Sequence, residues 1–521
     1  MMSRRLFLGS SALAAADLFG AAENSKRPSS ELEKLAQVAL REAQRLKASY
    51  CDIRINRYRD QTIFLRLSPE RGTGRTLEVP NVTDRESFGF GVRVIARGVW
   101  GFAASPLVSE EEIARVTREA VAVAEANARI PSRPVVLAPT PAYRDRWSSP
   151  FDRNPFEVPV AEKIELLRAA AAEVKKEKRI FSSTAMLMFH SEDKYFASSE
   201  GSSIQQLVIH TIANLAATAV DFAKGISRTR NYTPPPLEAG WEYVPRMNFL
   251  EHAPRIREEV LEHLAAPPVE PGKKDLILMP SNLFLTIHES IGHSTELDRA
   301  LGYEANFAGT SFLTPQKMGK ERIGSEIVTI YGDRTYERGL ATVAYDDDGV
   351  KTTRFPIVDK GIFKHFQTIR EQAHLIGEKE SRGCCYADSW ASVPFQRMPN
   401  VWLAPGPADV TLEDLIAGVD DGVLIEGRGS YSIDQQRYNF QFGGDAFWEI
   451  KGGKKRGMIS RVAYQSRTPD FWQACDGIAG PSYWEQYGSP NDGKGEPMQT
   501  NSVSHGCSPA RFRQITVIRT D

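Results

Sequence analysis

The chain reads as an α+β protein in two parts: an N-terminal domain of helices packed on an antiparallel sheet, then a mainly β half wrapped round one helix that carries His288 and His293. Three observations predict this. Helical periods alternate with strand-like runs up to about residue 265, and the Pro-rich stretch Ala266-Pro267-Pro268-Val269-Glu270-Pro271-Gly272 interrupts the chain there. From about Ile327 onward, short alternating runs rich in Gly, Thr, Val and aromatic residues take over.

In chain order, residues 1–24 stand apart. Ser3-Arg4-Arg5-Leu6-Phe7-Leu8-Gly9 precedes a short Ala-rich apolar run with small residues at Gly20, Ala21 and Ala22, the pattern of a twin-arginine export signal. The expected location is therefore periplasmic, or otherwise exported. No later segment offers about 18 uninterrupted apolar residues, so no membrane association is expected once the signal is cleaved.

Residues 25–265 form the first domain. Leu32, Leu35, Ala36, Val38, Ala39 and Leu46 share a face of a helix over 29–47. Alternation predicts strands at 52–55 and 62–65 and a hairpin of 89–95 with 99–103, turning at Ala96-Arg97-Gly98. Helical spacing returns at 110–128 and 160–177, β-type runs at 180–189 and 195–218, and a helix at about 248–264 leads to the linker. Residues 266–521 form the second domain. Asp275-Leu276-Ile277-Leu278-Met279 reads as a buried strand, stopped by Pro280, with Ser281 suited to cap the next helix. Thr352 to Val358 and Tyr438 to Ile450 read as β.

Composition excludes several classes of function. Of 521 residues, 41% are hydrophobic and 25% charged, which is ordinary for a globular protein. With 65 Lys plus Arg against 66 Asp plus Glu, no global field draws the chain to nucleic acid. Five cysteines, Cys51, Cys384, Cys385, Cys475 and Cys507, make no disulfide framework and read as buried free thiols.

The chemistry concentrates at His288-Glu289-Ser290-Ile291-Gly292-His293. Two imidazoles that can bind an ion, with a carboxylate beside the first to handle a water proton, are the ingredients of a zinc hydrolase. The spacing is unusual, because five steps of about 100° leave the histidines roughly 140° apart on an ideal helix. A π-bulge would bring them together, and Gly292 offers a place for the backbone to leave regular geometry. Elsewhere, Asp346-Asp347-Asp348-Gly349 is more simply a polar turn than a calcium loop. Glu296 suits either an outer carboxylate that fixes a histidine tautomer or a surface position.

The run from His288 to Asp298 resembles the HExxxH signature of the TldD/PmbA family of metallopeptidases. Gly302 to Phe312, Tyr345 to Gly349, Arg397-Met398-Pro399-Asn400 and Gly443-Gly444-Asp445 are similar to further landmarks of that family. The resemblance implies that His288 and His293 bind Zn2+, that Glu289 is the general base, and that a cysteine near the C-terminus completes the ligand set. Here Asp492-Gly493-Lys494 stands where the family has Cys-Gly-Lys, so Asp492 is the first candidate for third ligand, with Cys475 and Cys507 as thiol alternatives. His505, near these candidates, could serve to orient substrate or oxyanion. The expected substrate is an unstructured peptide, and the expected assembly is a homodimer or a heterodimer with a related subunit. The rival expectation is a non-catalytic peptide-binding subunit with a degenerate metal site. Deacylation of a small amide is a further reading that nothing in the sequence excludes.

Overall fold

Strict alternation along the early strands explains the first half of the protein. The computed structural model describes residues 28–70, 72–73, 75–130 and 132–520, so the expected export signal at 1–24 lies outside the described residues. Tyr50–Pro69 (β1), Thr76–Ala96 (β2) and Val99–Ser105 (β3) are followed by Arg144–Ser148 (β4), Ile180–Ser198 (β5), Ser203–Asp221 (β6), Ile226–Tyr232 (β7) and Leu237–Glu238 (β8). They form one sheet in the order β3-β2-β1-β5-β6-β4, with β7 and β8 also on β6. All its pairings are antiparallel except that of β4 with β6. The runs expected at 52–55 and 62–65 belong to a single strand, because β1 is paired on both sides across the polar residues between them. The β2–β3 hairpin turns on Arg97 (φ 53°) and Gly98 (φ 81°), the left-handed pair that matches the twist of its strands.

Along β1 the odd residues Cys51, Ile53, Ile55, Ile63, Leu65 and Leu67 share one buried apolar face. The first three pack under helices Ser30–Arg45 (α1) and Glu110–Asn127 (α2). The last three pack under Val160–Val174 (α3) and Phe249–Ala265 (α4). One sheet face thus carries two helix pairs end to end. Fully burying a Leu, Ile or Val side chain contributes about 1.5–3 kcal/mol, so this face is a main source of stability for the first half.

The opposite face is polar, and the second half docks on it. Arg93 on β2 bridges Asp52 on β1 and Asp348, with contacts of 2.7 Å to each. Lys194 on β5 lies 3.2 Å from Asp347, and the Asp346 carboxylate accepts the N–H groups of Asp348, Val350 and Cys385. The three-aspartate segment is a turn, as expected, but a buried one, with two of its carboxylates spent on basic residues of the first half. Asp445 makes a second clamp by receiving Arg230 (2.5 Å) and the Asn231 backbone N–H (2.9 Å).

His190, on the same polar face, sits between Asp60 (2.6 Å) and Glu192 (3.0 Å). Burial works against its charge, yet the two carboxylates raise its pKa from 6.5 to about 9. A raised histidine pKa adds stability that is complete below about 6.5 and is lost as pH climbs through about 9. The thermal midpoint should therefore fall between these pH values, and His190→Asn should flatten that slope. An unchanged slope in the variant would remove His190 as its source.

The second half centres on Gly272–Leu278 (β9), an inner strand of a nine-stranded sheet, parallel to Asp421–Glu426 and antiparallel to Ala510–Arg519. Its apolar side chains end on Pro280–Ile287 (α5). Pro280 opens α5, where its missing N–H costs nothing. Ser281 does not cap the helix. Met279 holds the cap position, and Ser281 Oγ accepts the Gly427 N–H at 3.0 Å. A smaller four-stranded sheet and the hairpin Glu485–Lys494/Gln499–Cys507 complete this half. Among the described residues no helix is long and apolar enough to cross a membrane.

Candidate metal centre

Helix α5 runs directly into one π turn, His288–Gly292, and then a 3₁₀ turn, His293–Thr295. The wider turn offsets the five-residue spacing and leaves the two imidazole rings 4.6 Å apart, centroid to centroid. Gly292 closes the π turn, where the backbone leaves regular α-helical geometry, with φ −53° and ψ −63°, angles open to any residue. Its lack of a side chain matters for packing, since a Cβ there would stand 2.6 Å from Met398 Sδ. Gln367 Nε2 donates to the Gly292 carbonyl at 2.5 Å, satisfying a backbone acceptor at the turn.

The hairpin folds back against α5, with Phe284 stacked on Tyr487, and brings up the third group. Its register slips between Ser489 and Asp492, a bulge that aims the Asp492 side chain at the histidines. Asp492 Oδ1 lies 3.3 Å from His288 Nε2 and 3.3 Å from His293 Nε2, and donor atoms of all three residues fall within 4.8 Å of one another. All three side chains are buried. Arg397 holds the carboxylate from behind, with contacts of 3.0 Å to Oδ2, 2.5 Å to the Asp492 carbonyl and 2.7 Å to the Gln499 carbonyl. Although burial opposes ionisation, the two imidazoles hold the Asp492 carboxyl well below the usual carboxylate range.

The far nitrogen of each imidazole is also engaged. His505 Nδ1 faces the Val401 carbonyl at 3.0 Å, which only accepts, so this nitrogen carries the proton. His505 Nε2 then accepts from His288 Nδ1 at 2.8 Å, which turns His288 Nε2 to the centre. Burial, and then the neighbouring His288, push the His505 pKa well down and keep that ring neutral. His293 Nδ1 faces Glu296 at 3.0 Å, and Glu296 in turn meets Arg299 (3.1 Å) and Lys494 (3.2 Å). Both Nε2 atoms are therefore turned toward Asp492. The cluster opens on a cavity of about 520 Å³ lined also by Glu289, Arg437, Tyr431, Ile433 and Asn491.

Three family models cover the chain: PmbA/TldA metallopeptidase domain 1 matches residues 51–124, the central domain 153–261, and the C-terminal domain 271–519. The chain belongs to the PmbA/TldD metallopeptidase family. A metalloprotease of Methanocaldococcus jannaschii is 29% identical over 460 residues, 86% of this chain and 91% of that one. A protein of Saccharolobus solfataricus named as a zinc metalloprotease TldD homolog is 22% identical, covering 92% and 98%. Among solved structures, TldE of Thermococcus kodakarensis superposes with a TM-score of 0.70 at 17% identity, covering 93% and 99%, which shows the shared fold.

The residues that carry the PmbA/TldD resemblance now have definite places. His288, His293 and Asp492 come together, and Glu289 lines the same cavity. Cys475 and Cys507 are buried, unbridged and outside the cluster; burial pushes the Cys475 thiol up to about 12. His505 does not line the cavity and lies behind His288, so the idea that it orients substrate gives way to one of orienting the imidazole. Glu296 is buried against His293 rather than exposed. Arg397, Lys494 and Arg437 carry no local sequence signal of a site role. The fold brings them to the site, although Arg397 and Lys494 lie within segments that resemble the family.

Proposed function

We propose that the chain is a zinc-dependent peptidase in which His288, His293 and Asp492 hold the metal and Glu289 is the general base. The convergence of two imidazole Nε2 atoms on one carboxylate oxygen carries this reading. A tetrahedral site with bonds of about 2.0–2.1 Å has ligand-to-ligand edges of about 3.3–3.4 Å, which matches both 3.3 Å separations here. Zinc, when bound, would polarise the scissile carbonyl and lower the pKa of a coordinated water to about 7.

The remaining work falls to side chains. His505 and Glu296 fix the imidazole orientations, and Arg397 keeps Oδ1 of Asp492 turned to the centre. Glu289 takes a proton from the attacking water and returns it to the leaving nitrogen. Tyr431–Ile433 is the edge strand of the nine-stranded sheet, and Asn491 sits in the unpaired part of the hairpin. Both border the cavity, so an extended, unfolded peptide would find backbone partners there with little demand on its sequence. In the cell the chain would be exported by the twin-arginine route and would act as a homodimer or with a related subunit.

Metal analysis with a cleavage assay tests the proposal. The purified protein should carry one zinc per chain, lose cleavage of an unfolded peptide on chelation, and regain it on adding zinc. A protein that binds peptide but neither zinc nor cleavage activity would instead be the non-catalytic subunit.

A further inference from the structure

Among the described residues Arg437 is the arginine that stands beside the Glu289 carboxylate, and its backbone setting is unusual. It closes a tight turn, Asp434 to Arg437, with φ at 63°, a conformation that costs free energy for a non-glycine residue. The turn is held from several sides. The Asp434 carboxylate accepts the N–H groups of Gln436, Tyr438 and Asn439. Thr310 and Phe312 donate their N–H groups to the Gln435 and Gln436 carbonyls, and Thr468 Oγ1 donates to that of Arg437. A strained residue is thus pinned in place, with its side chain on the catalytic cavity.

That side chain is only 13% exposed, yet among the described residues the contact of its terminal nitrogens is Nη1 to Glu289 Oε2 at 3.4 Å, while its buried Nε, like that of Arg397, has no partner. Arg397, nearby, makes three hydrogen bonds with its two terminal nitrogens. Desolvating a guanidinium and leaving its donors unused is costly, so terminal nitrogens on a cavity wall with one long contact between them point to an absent acceptor.

We propose that Arg437 is a catalytic residue that donates to the oxygen of the scissile carbonyl as that oxygen becomes negative. This rests on the peptidase reading above. In the step, water loses a proton to Glu289 and its oxygen bonds to the carbonyl carbon, whose π pair moves onto the oxygen facing Arg437. Collapse re-forms the carbonyl and breaks the C–N bond, and the proton held by Glu289 goes to the leaving nitrogen. The guanidinium also gives up its contact with Glu289 as it turns to the substrate, which frees the base when it is needed.

The test uses the zinc-loaded full chain and a peptide blocked at both termini, comparing wild type with Arg437→Gln and Arg437→Lys. Arg437→Gln should lower kcat about 10²–10³-fold, the usual effect of losing one oxyanion donor, with KM nearly unchanged and Arg437→Lys intermediate. Affinity for a phosphinic peptide, which mimics the tetrahedral intermediate, should fall in step with kcat/KM, while zinc content stays the same. If Arg437→Gln loses fold or zinc, the Lys variant decides on the same readouts. An unimpaired kcat in an active background overturns the inference alone. So does a KM effect confined to peptides with a free C-terminal carboxylate, which would make Arg437 a terminal anchor. A wild type that cleaves nothing overturns the peptidase reading and takes this one with it.

Discussion

Glu289→Gln is expected to reduce kcat for peptide cleavage by about 10²–10⁴-fold, the range for loss of a general base, while zinc binding survives. The two halves of this expectation have different origins. Glu289 lines the cavity but does not belong to the three-residue donor cluster, so its charge is not needed to hold the ion. Gln keeps the size and one acceptor, so packing on the π turn should persist and the thermal midpoint should move little. The variant must therefore bind peptide and zinc as wild type does, yet turn over far more slowly. Equal rates in variant and wild type would mean that another group moves the proton. Loss of zinc would mean that the carboxylate is a ligand rather than a base.

The readable part of this site was the part that is local in sequence. His288, Glu289 and His293 lie within six residues, and their awkward spacing pointed to the π turn found here. The signals that failed were those decided by distant partners. Ser281 has the chemistry of a helix cap, but its hydroxyl is claimed by Gly427, 146 positions away. The polar stretch between the two expected strands of β1 looked like a break. It is continuous strand because Asn56 and Tyr58 face the second half instead of water. Asp346 to Asp348 show turn chemistry, but nothing local says that Arg93 and Lys194 will bury them. His505 is 217 positions from His288, and its role follows only from the Val401 carbonyl that sets its tautomer. Asp492 came into view only through the family pattern, since a lone aspartate before Gly-Lys has no intrinsic metal signature.

Asp492→Ala should abolish stoichiometric zinc binding and also destabilise the metal-free protein. For the metal, removing a direct ligand should cost more than the about 10–100-fold typical of losing an outer partner, because the two imidazoles alone leave the set short of the usual three. For the fold, the substitution strips the carboxylate from Arg397, which is fully buried. Breaking one side of a buried pair costs about 3–5 kcal/mol, since the remaining charge is left without a counterion. The loss is partly offset here because Arg397 keeps its contacts to the Gln499 and residue-492 carbonyls. Denaturant unfolding in the presence of chelator isolates this term from metal linkage. Asp492→Asn separates the two effects further, keeping the shape and an oxygen for Arg397 while removing the negative charge from the centre. It should fold better than the alanine variant and still bind zinc weakly. An alanine variant that retained one zinc per chain would show that the ion is completed from elsewhere in the chain, and the assignment of Asp492 as third ligand would fall.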